Sequence, residues 1–145
     1  MKLAIVGAGA TGGYLGAKLA AAGVDVTLIA RGAQLAALRA NGVRVIEGEG
    51  GGEVVAHPPA TDDMGAVRDA DAVLLTVKAH SIPALAPALG AALGPDTAVV
   101  TAQNGIPWWY FEGHGGALAG TRLRAAMAPS HHHSLPLSPP AAAQS

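Results

Sequence analysis

Lys2-Leu3-Ala4-Ile5-Val6, then Gly7-Ala8-Gly9-Ala10-Thr11-Gly12-Gly13, then Tyr14-Leu15-Gly16-Ala17-Lys18-Leu19-Ala20 open the chain and decide its fold. A short apolar run bounded by glycines predicts a buried strand, and the Ala/Leu-rich run behind it has helical spacing. The glycines therefore sit on a strand-to-helix turn, where a dinucleotide phosphate binds. Gly7 allows the tight turn, Gly9 has no Cβ to keep a pyrophosphate off the backbone, and Gly12 lets the helix lie close to the strand. Unpaired N–H groups of the first helical turn then face the anion, while Gly13 and Gly16 extend the small face of the helix.

Working outward, Gly23 marks a helix stop, and Val24-Asp25-Val26-Thr27-Leu28-Ile29-Ala30 reads as a second strand rich in β-branched residues. A helix from about residue 33 to 40 closes at Asn41-Gly42. Residues 43–47 alternate as a third strand, and 53–57 return as its hairpin partner across a glycine-rich turn. Thr61-Asp62-Asp63 predicts the capped start of a short helix. Residues 72–77 form a nearly continuous apolar run, as expected of a parallel strand buried on both faces. A helix follows over 81–93, with Pro83 in its first turn and Pro87 expected to kink or delay it. A last apolar strand spans 97–102. Strand and helix in alternation predict an α/β fold, a Rossmann-like doubly wound and mainly parallel sheet with right-handed crossovers. The expected organisation is one domain over residues 1–126. From Met127 to Ser145 the chain holds only small, apolar, Pro and His residues with a terminal Gln-Ser and no charge, and it is expected to be a disordered tail.

Composition narrows the function. The chain is 50% hydrophobic and 3% aromatic over 145 residues, so its core must be aliphatic. A net charge of −1 gives no general pull toward nucleic acid or an anionic membrane. Zero cysteines exclude disulfides, cysteine–zinc sites and thiol catalysis. Glycines interrupt the amino-terminal apolar run too often for a secretion signal, and no stretch reaches the ~20 uninterrupted apolar residues of a membrane span. A cytoplasmic location is expected.

Four features fall on predicted carboxyl ends of strands: the Gly7–Gly12 turn, Arg31, Lys78 and Gln103-Asn104-Gly105. In an open α/β sheet, ligands gather there. Arg31 follows Gly12 by 19 positions, where an NAD site normally offers an acid to the ribose hydroxyls. Asp25 lies at the wrong end of its strand to supply one. A guanidinium at position 31 suits a 2′-phosphate, so NADP is favoured over NAD, with Gln34 as a second candidate for the same phosphate. Lys78 could hold the cofactor or a substrate carboxylate, and the Asn104 amide suits a carboxamide or hydroxyl. His80 and Ser81 need do no more than cap the next helix. Trp108-Trp109-Tyr110-Phe111 concentrates four of the five aromatic residues and points to a missing partner surface, a homodimer being one such partner. His131, His132 and His133 carry no fixed geometry for a metal, and none is expected.

Taken together, Gly7-Ala8-Gly9-Ala10-Thr11-Gly12-Gly13-Tyr14-Leu15-Gly16, Arg31-Gly32, Thr76-Val77-Lys78-Ala79 and Gln103-Asn104-Gly105-Ile106 resemble the N-terminal half of ketopantoate reductases. That family reduces 2-dehydropantoate to (R)-pantoate with NADPH on the route to pantothenate. The resemblance runs from Met1 to about Arg124. It implies that Gly7, Ala8, Gly9, Ala10, Thr11 and Gly12 hold the pyrophosphate and Arg31 the 2′-phosphate. It also implies that Lys78 and Asn104 serve the nicotinamide side of the cofactor and the substrate.

The family carries a second, helical domain whose lysine is the general acid, and that domain is expected to be missing here. No lysine follows Lys78 and no acid follows Glu112. The expectation is a truncated or frame-shifted product, catalytically incomplete alone, because hydride transfer to a ketone needs a proton donor at the developing alkoxide. Two other readings stand beside it. One is a regulatory nucleotide-sensing module, against which Arg31 speaks. The other is an NADP-dependent dehydrogenase acting on a different hydroxy acid.

Overall fold

Parallel pairing around the first strand sets the architecture. A computed structural model describes residues 1–48, 51–107, 109–113 and 115–123. Trp108, the His131–His133 run and the predicted tail at 127–145 lie outside the described residues. The elements, in chain order, are β1 (Lys2–Val6), α1 (Ala10–Ala21), β2 (Asp25–Ile29), α2 (Gly32–Asn41), β3 (Val43–Ile46), β4 (Glu53–Ala56) and β5 (Ala60–Thr61). After a 3-10 turn at Met64–Val67 come β6 (Ala72–Leu75), a second 3-10 turn at Ala79–Ser81, α3 (Ile82–Ala92) and β7 (Ala98–Thr101).

Five strands form one sheet in the order β5-β2-β1-β6-β7, every pair parallel. The chain winds outward from β1 through β2 to β5, then crosses to the other side for β6 and β7. The switch in direction falls between β1 and β6, directly below the glycine loop. β3 and β4 pair antiparallel as a separate hairpin resting on α1.

Alternation along β1 explains the two-sided core. Leu3 and Ile5 face the layer of α1 and α2, where they pack with Val26, Leu28 and Leu35. Ala4 and Val6 face the other layer with Val73, Leu75, Val67 and Leu89. Leu28 and Val73 are completely buried, one in each layer. Close approach of α1 to the sheet depends on its small face: a Cβ on Gly16 would lie 2.6 Å from Leu28 Cδ2. Among the described residues no polar or charged side chain is buried, so the core is aliphatic throughout, as the composition requires.

Three local expectations need correction. Pro87 does not delay the helix, because α3 starts at Ile82 and runs through it. The N–H it lacks would have met the carbonyl of Pro83, and both residues are exposed, which leaves that carbonyl on the solvent side of the helix. Thr61 does not open a helix. It ends β5 and accepts from Ala30 N, as Pro59 just before β5 accepts from Leu28 N, and Asp63 instead caps the 3-10 turn through a 2.8 Å bond from Gly65 N. The apolar run at 97–102 does form a strand, but all four residues of β7 are exposed at the sheet edge.

Candidate active site at the carboxyl edge of the sheet

Because all five strands run the same way, their carboxyl ends share one edge, and the four sequence-predicted features gather there. Gly7 leaves β1 with φ +101, a conformation that L side chains rarely adopt, and its N–H donates to Ile29 O at 2.9 Å. A Cβ on Gly12 would run into the Gly7 carbonyl, so α1 begins as close to the loop as a backbone can come. Gly9 is the N-cap of α1, with no side-chain cap, and a Cβ there would meet nothing within 4 Å. The first turn of α1 carries no acid. An uncapped helix start beneath open space, free of negative charge, is what a pyrophosphate needs.

Arg31 lies two residues beyond Ile29, the end of β2, and is the N-cap of α2. It is exposed, and no hydrogen bond or ion pair with a described residue restrains its guanidinium. Asp25 starts β2 and so sits at the opposite edge, as its place in the sequence indicated. Gln34, expected beside Arg31 at a phosphate, has its amide turned to another use: Nε2 donates to the carbonyl of Ala8 in the glycine loop.

Lys78 follows β6 by three residues, is exposed, and accepts through its carbonyl from Ser81 N at 2.8 Å. Ser81 is the N-cap of α3 without a side-chain cap bond. Asn104 lies beyond β7, exposed, next to Gly105 with φ +87. Two residues to which sequence reasoning gave no role of their own hold this edge together. The Thr76 hydroxyl reaches the Gly7 carbonyl at 2.5 Å and the Val6 carbonyl at 3.1 Å, tying the end of β6 to the loop. Gln103 Nε2 donates to Val77 O at 2.9 Å, tying the end of β7, and Asn104 with it, to the segment that carries Lys78. A polar residue just past a strand end was the available signal for both.

Elsewhere the charges serve the scaffold. Lys18 on α1 pairs with Glu47 at 2.5 Å, and that hydrogen bond holds the ammonium above its ordinary range. Across the hairpin, Arg44 grips Glu53 through two hydrogen bonds of 2.5 and 2.9 Å and keeps its carboxyl below the ordinary carboxylate value. A cavity of about 380 Å³ lies at the opposite edge of the sheet, lined by Ala20, Asp25, His57 and Pro58. It lies at the end of the sheet away from the glycine loop. No cluster of described residues could hold a metal ion, and no helix among them is long and apolar enough to cross a membrane.

Comparison with known proteins agrees with this geometry. Residues 3–107 match the model of the family described as ketopantoate reductase PanE/ApbA. The chain is 51% identical over 127 residues to a 2-dehydropantoate 2-reductase of Mesorhizobium japonicum, covering 86% of this chain but 38% of that protein. It resembles the crystal structure of a ketopantoate reductase from Ralstonia solanacearum with a TM-score of 0.76 at 44% identity, covering 86% of this chain and 38% of the other. A ternary structure of D-mandelate dehydrogenase with NADH and anilino(oxo)acetate is similar at a TM-score of 0.62 and 29% identity, over 73% of this chain and 34% of that one.

Proposed function

Since the chain belongs to the ketopantoate reductase PanE/ApbA family, we propose that it is the NADPH-binding part of a reductase converting 2-dehydropantoate to (R)-pantoate. The observation that carries the proposal is the convergence of the Gly7–Gly12 loop, Arg31, Lys78 and Asn104 on one edge of the sheet. In this reading the backbone of Gly7, Ala8, Gly9, Ala10, Thr11 and Gly12 and the start of α1 hold the pyrophosphate. The Arg31 guanidinium takes the 2′-phosphate. Lys78 holds a carboxylate or phosphate oxygen at the nicotinamide end, and Asn104 bonds the carboxamide or the substrate hydroxyl. The bound cofactor supplies hydride to the ketone.

The described residues bind and orient; they offer no buried acid to protonate the alkoxide. The chain spans 38% of the Mesorhizobium relative, and we place the proton donor outside it, so the chain alone captures NADPH without turning over 2-dehydropantoate. The match to a reductase family weighs against the regulatory nucleotide-sensing module. Similarity to the D-mandelate dehydrogenase structure with NADH favours a second reading, in which the substrate is another 2-oxo acid and the cofactor is unphosphorylated. Fluorescence titration of the purified chain with NADPH and NADH separates the two. Tighter NADPH binding, erased by Arg31→Ala, supports the first; equal affinity for the two nucleotides would sink it. Disappearance of nicotinamide absorbance on adding 2-dehydropantoate to the chain alone would overturn the incomplete-site argument.

A further inference from the structure

We propose that Gln34 is a positioning residue that sets the distance between the pyrophosphate loop and the 2′-phosphate site, and so determines selectivity for the phosphorylated dinucleotide. The inference rests on the NADPH reading above and deepens it. Gln34 lies three residues after Arg31, in the first turn of α2, and its Nε2 donates to the carbonyl of Ala8. Ala8 is buried within the glycine loop, 5% exposed, so its carbonyl cannot turn to water without moving the loop. The carbonyl accepts, so the amide must present nitrogen to it, leaving Oε1 as the atom free to point elsewhere. An acceptor oxygen repels a phosphate, which argues against direct recognition by Gln34 and for an indirect role.

A dinucleotide has a fixed span between its pyrophosphate and its 2′-phosphate. A protein that holds both at once must hold its two anchors at the matching separation, or lose the second contact for most of the bound ensemble. The loop is joined to β2 by one backbone bond, Gly7 N to Ile29 O at 2.9 Å, at the point where the loop leaves β1. On the side of β2 and α2, Gln34 adds a second point of attachment, directly to the helix whose N-cap is Arg31, while Thr76 holds the loop to β6. Two points fix an orientation where one fixes only a hinge.

The test is a cycle of four full-length chains: the parent, Gln34→Met, Arg31→Ala and the double variant, each titrated with NADPH and NADH. Methionine keeps the bulk and helix propensity of glutamine and removes the donor. If Gln34→Met does not fold, Gln34→Ala takes its place, and melting temperature is recorded for every chain. Gln34→Met is expected to weaken NADPH about three- to tenfold, the worth of one neutral hydrogen bond, and NADH less than about twofold. In the Arg31→Ala background it should change neither, because the second anchor is already gone. A loss that persists without Arg31 would mean direct contact with the ligand, and an equal loss for both nucleotides would mean general loop support. Either result overturns the proposal. Should the parent prefer NADPH and Arg31→Ala erase the preference while Gln34→Met leaves it intact, the positioning role alone falls. Should the parent bind both nucleotides equally, the NADPH reading falls and takes this inference with it.

Discussion

Replacing Thr76 by valine tests whether the glycine loop is held by the neighbouring strand. The hydroxyl donates to Gly7 O at 2.5 Å and lies 3.1 Å from Val6 O. Val6 O also accepts from Thr76 N at 3.0 Å, so it keeps a partner in the variant, whereas Gly7 O loses its hydroxyl donor. Leaving a partly buried carbonyl unpaired costs about 1–3 kcal/mol. A methyl group in place of the hydroxyl also sits too close to that oxygen, pushing the loop away and adding to the cost. We take about 2 kcal/mol in total, which for a domain of this size lowers Tm by roughly 6–9 °C. Thr76→Ser keeps the donor and should lose about half of that or less. Thermal melts followed by circular dichroism read the stability, and NADPH titration reads the loop. A Thr76→Val chain that melts within about 2 °C of the parent and binds NADPH unchanged would refute the reasoning, since one orphaned carbonyl alone predicts more.

Gly12→Ala forces a Cβ against the Gly7 carbonyl and within 2.5 Å of Thr76 Oγ1, and backbone cannot yield as a side chain can. It should cost about 1–3 kcal/mol in denaturant unfolding and abolish measurable nucleotide binding; wild-type affinity would contradict the packing account. Pro87→Ala supplies the missing N–H in the middle of α3 and should raise stability by about 1–2 kcal/mol, the helix gain less the added freedom of the unfolded chain; a lower Tm would show that the proline is needed where it is. Glu53 is held below its ordinary value by Arg44, so the pair's stabilisation is complete above the unfolded carboxyl value of about 4.3 and is lost as pH falls through the lower folded value. Glu53→Gln should therefore flatten part of the fall in Tm between about pH 6 and pH 3, and identical acid profiles would dismiss the pair. Arg31 and Lys78 are exposed, so the NADPH preference should shrink as salt rises from about 0.05 to 0.5 M, while a salt-independent ratio would argue for a different discriminator.

Much of this arrangement was legible in the chain because its signals are local. An apolar run followed by glycines and a small-residue helix gives β1, the loop and α1 without reference to anything distant. Strand ends at Arg31, Lys78 and Asn104 follow from where apolar runs stop. β5 was invisible for a physical reason: two residues carry no periodicity, and the segment is extended because Pro59 O and Thr61 O accept from Leu28 N and Ala30 N across the sheet. Pro87 misled because propensity weighs the lost bond and cannot see that the orphaned carbonyl lies on the solvent side. Thr76, Gln103 and Gln34 share one cause. Their partners lie 69, 26 and 26 positions away, and each bond exists only once the sheet has been ordered.

Those three bonds also explain how a site can be firm without burying a charge. Every strand of the sheet ends at the same edge, so each loop there would move independently if joined only through its own strand. Gln34 joins the α2 start to the glycine loop, Thr76 joins the β6 end to the same loop, and Gln103 joins the β7 end to the β6 end. The links run in series across β2, β1, β6 and β7, and each uses a neutral side chain and a backbone carbonyl. Neutral donors fix geometry without creating a field that would compete with Arg31 and Lys78 for the anion. Both cations are exposed, so the protein is spared the cost of desolvating them. In the proposed reading, geometry is set by uncharged amides and a hydroxyl, and charge selectivity by two exposed side chains. On the proposed roles, substitutions of the first group should alter how the nucleotide is seated, whereas substitutions of the second should alter which nucleotide is chosen; Gln34, proposed to do the first so that Arg31 can do the second, is where the two roles meet.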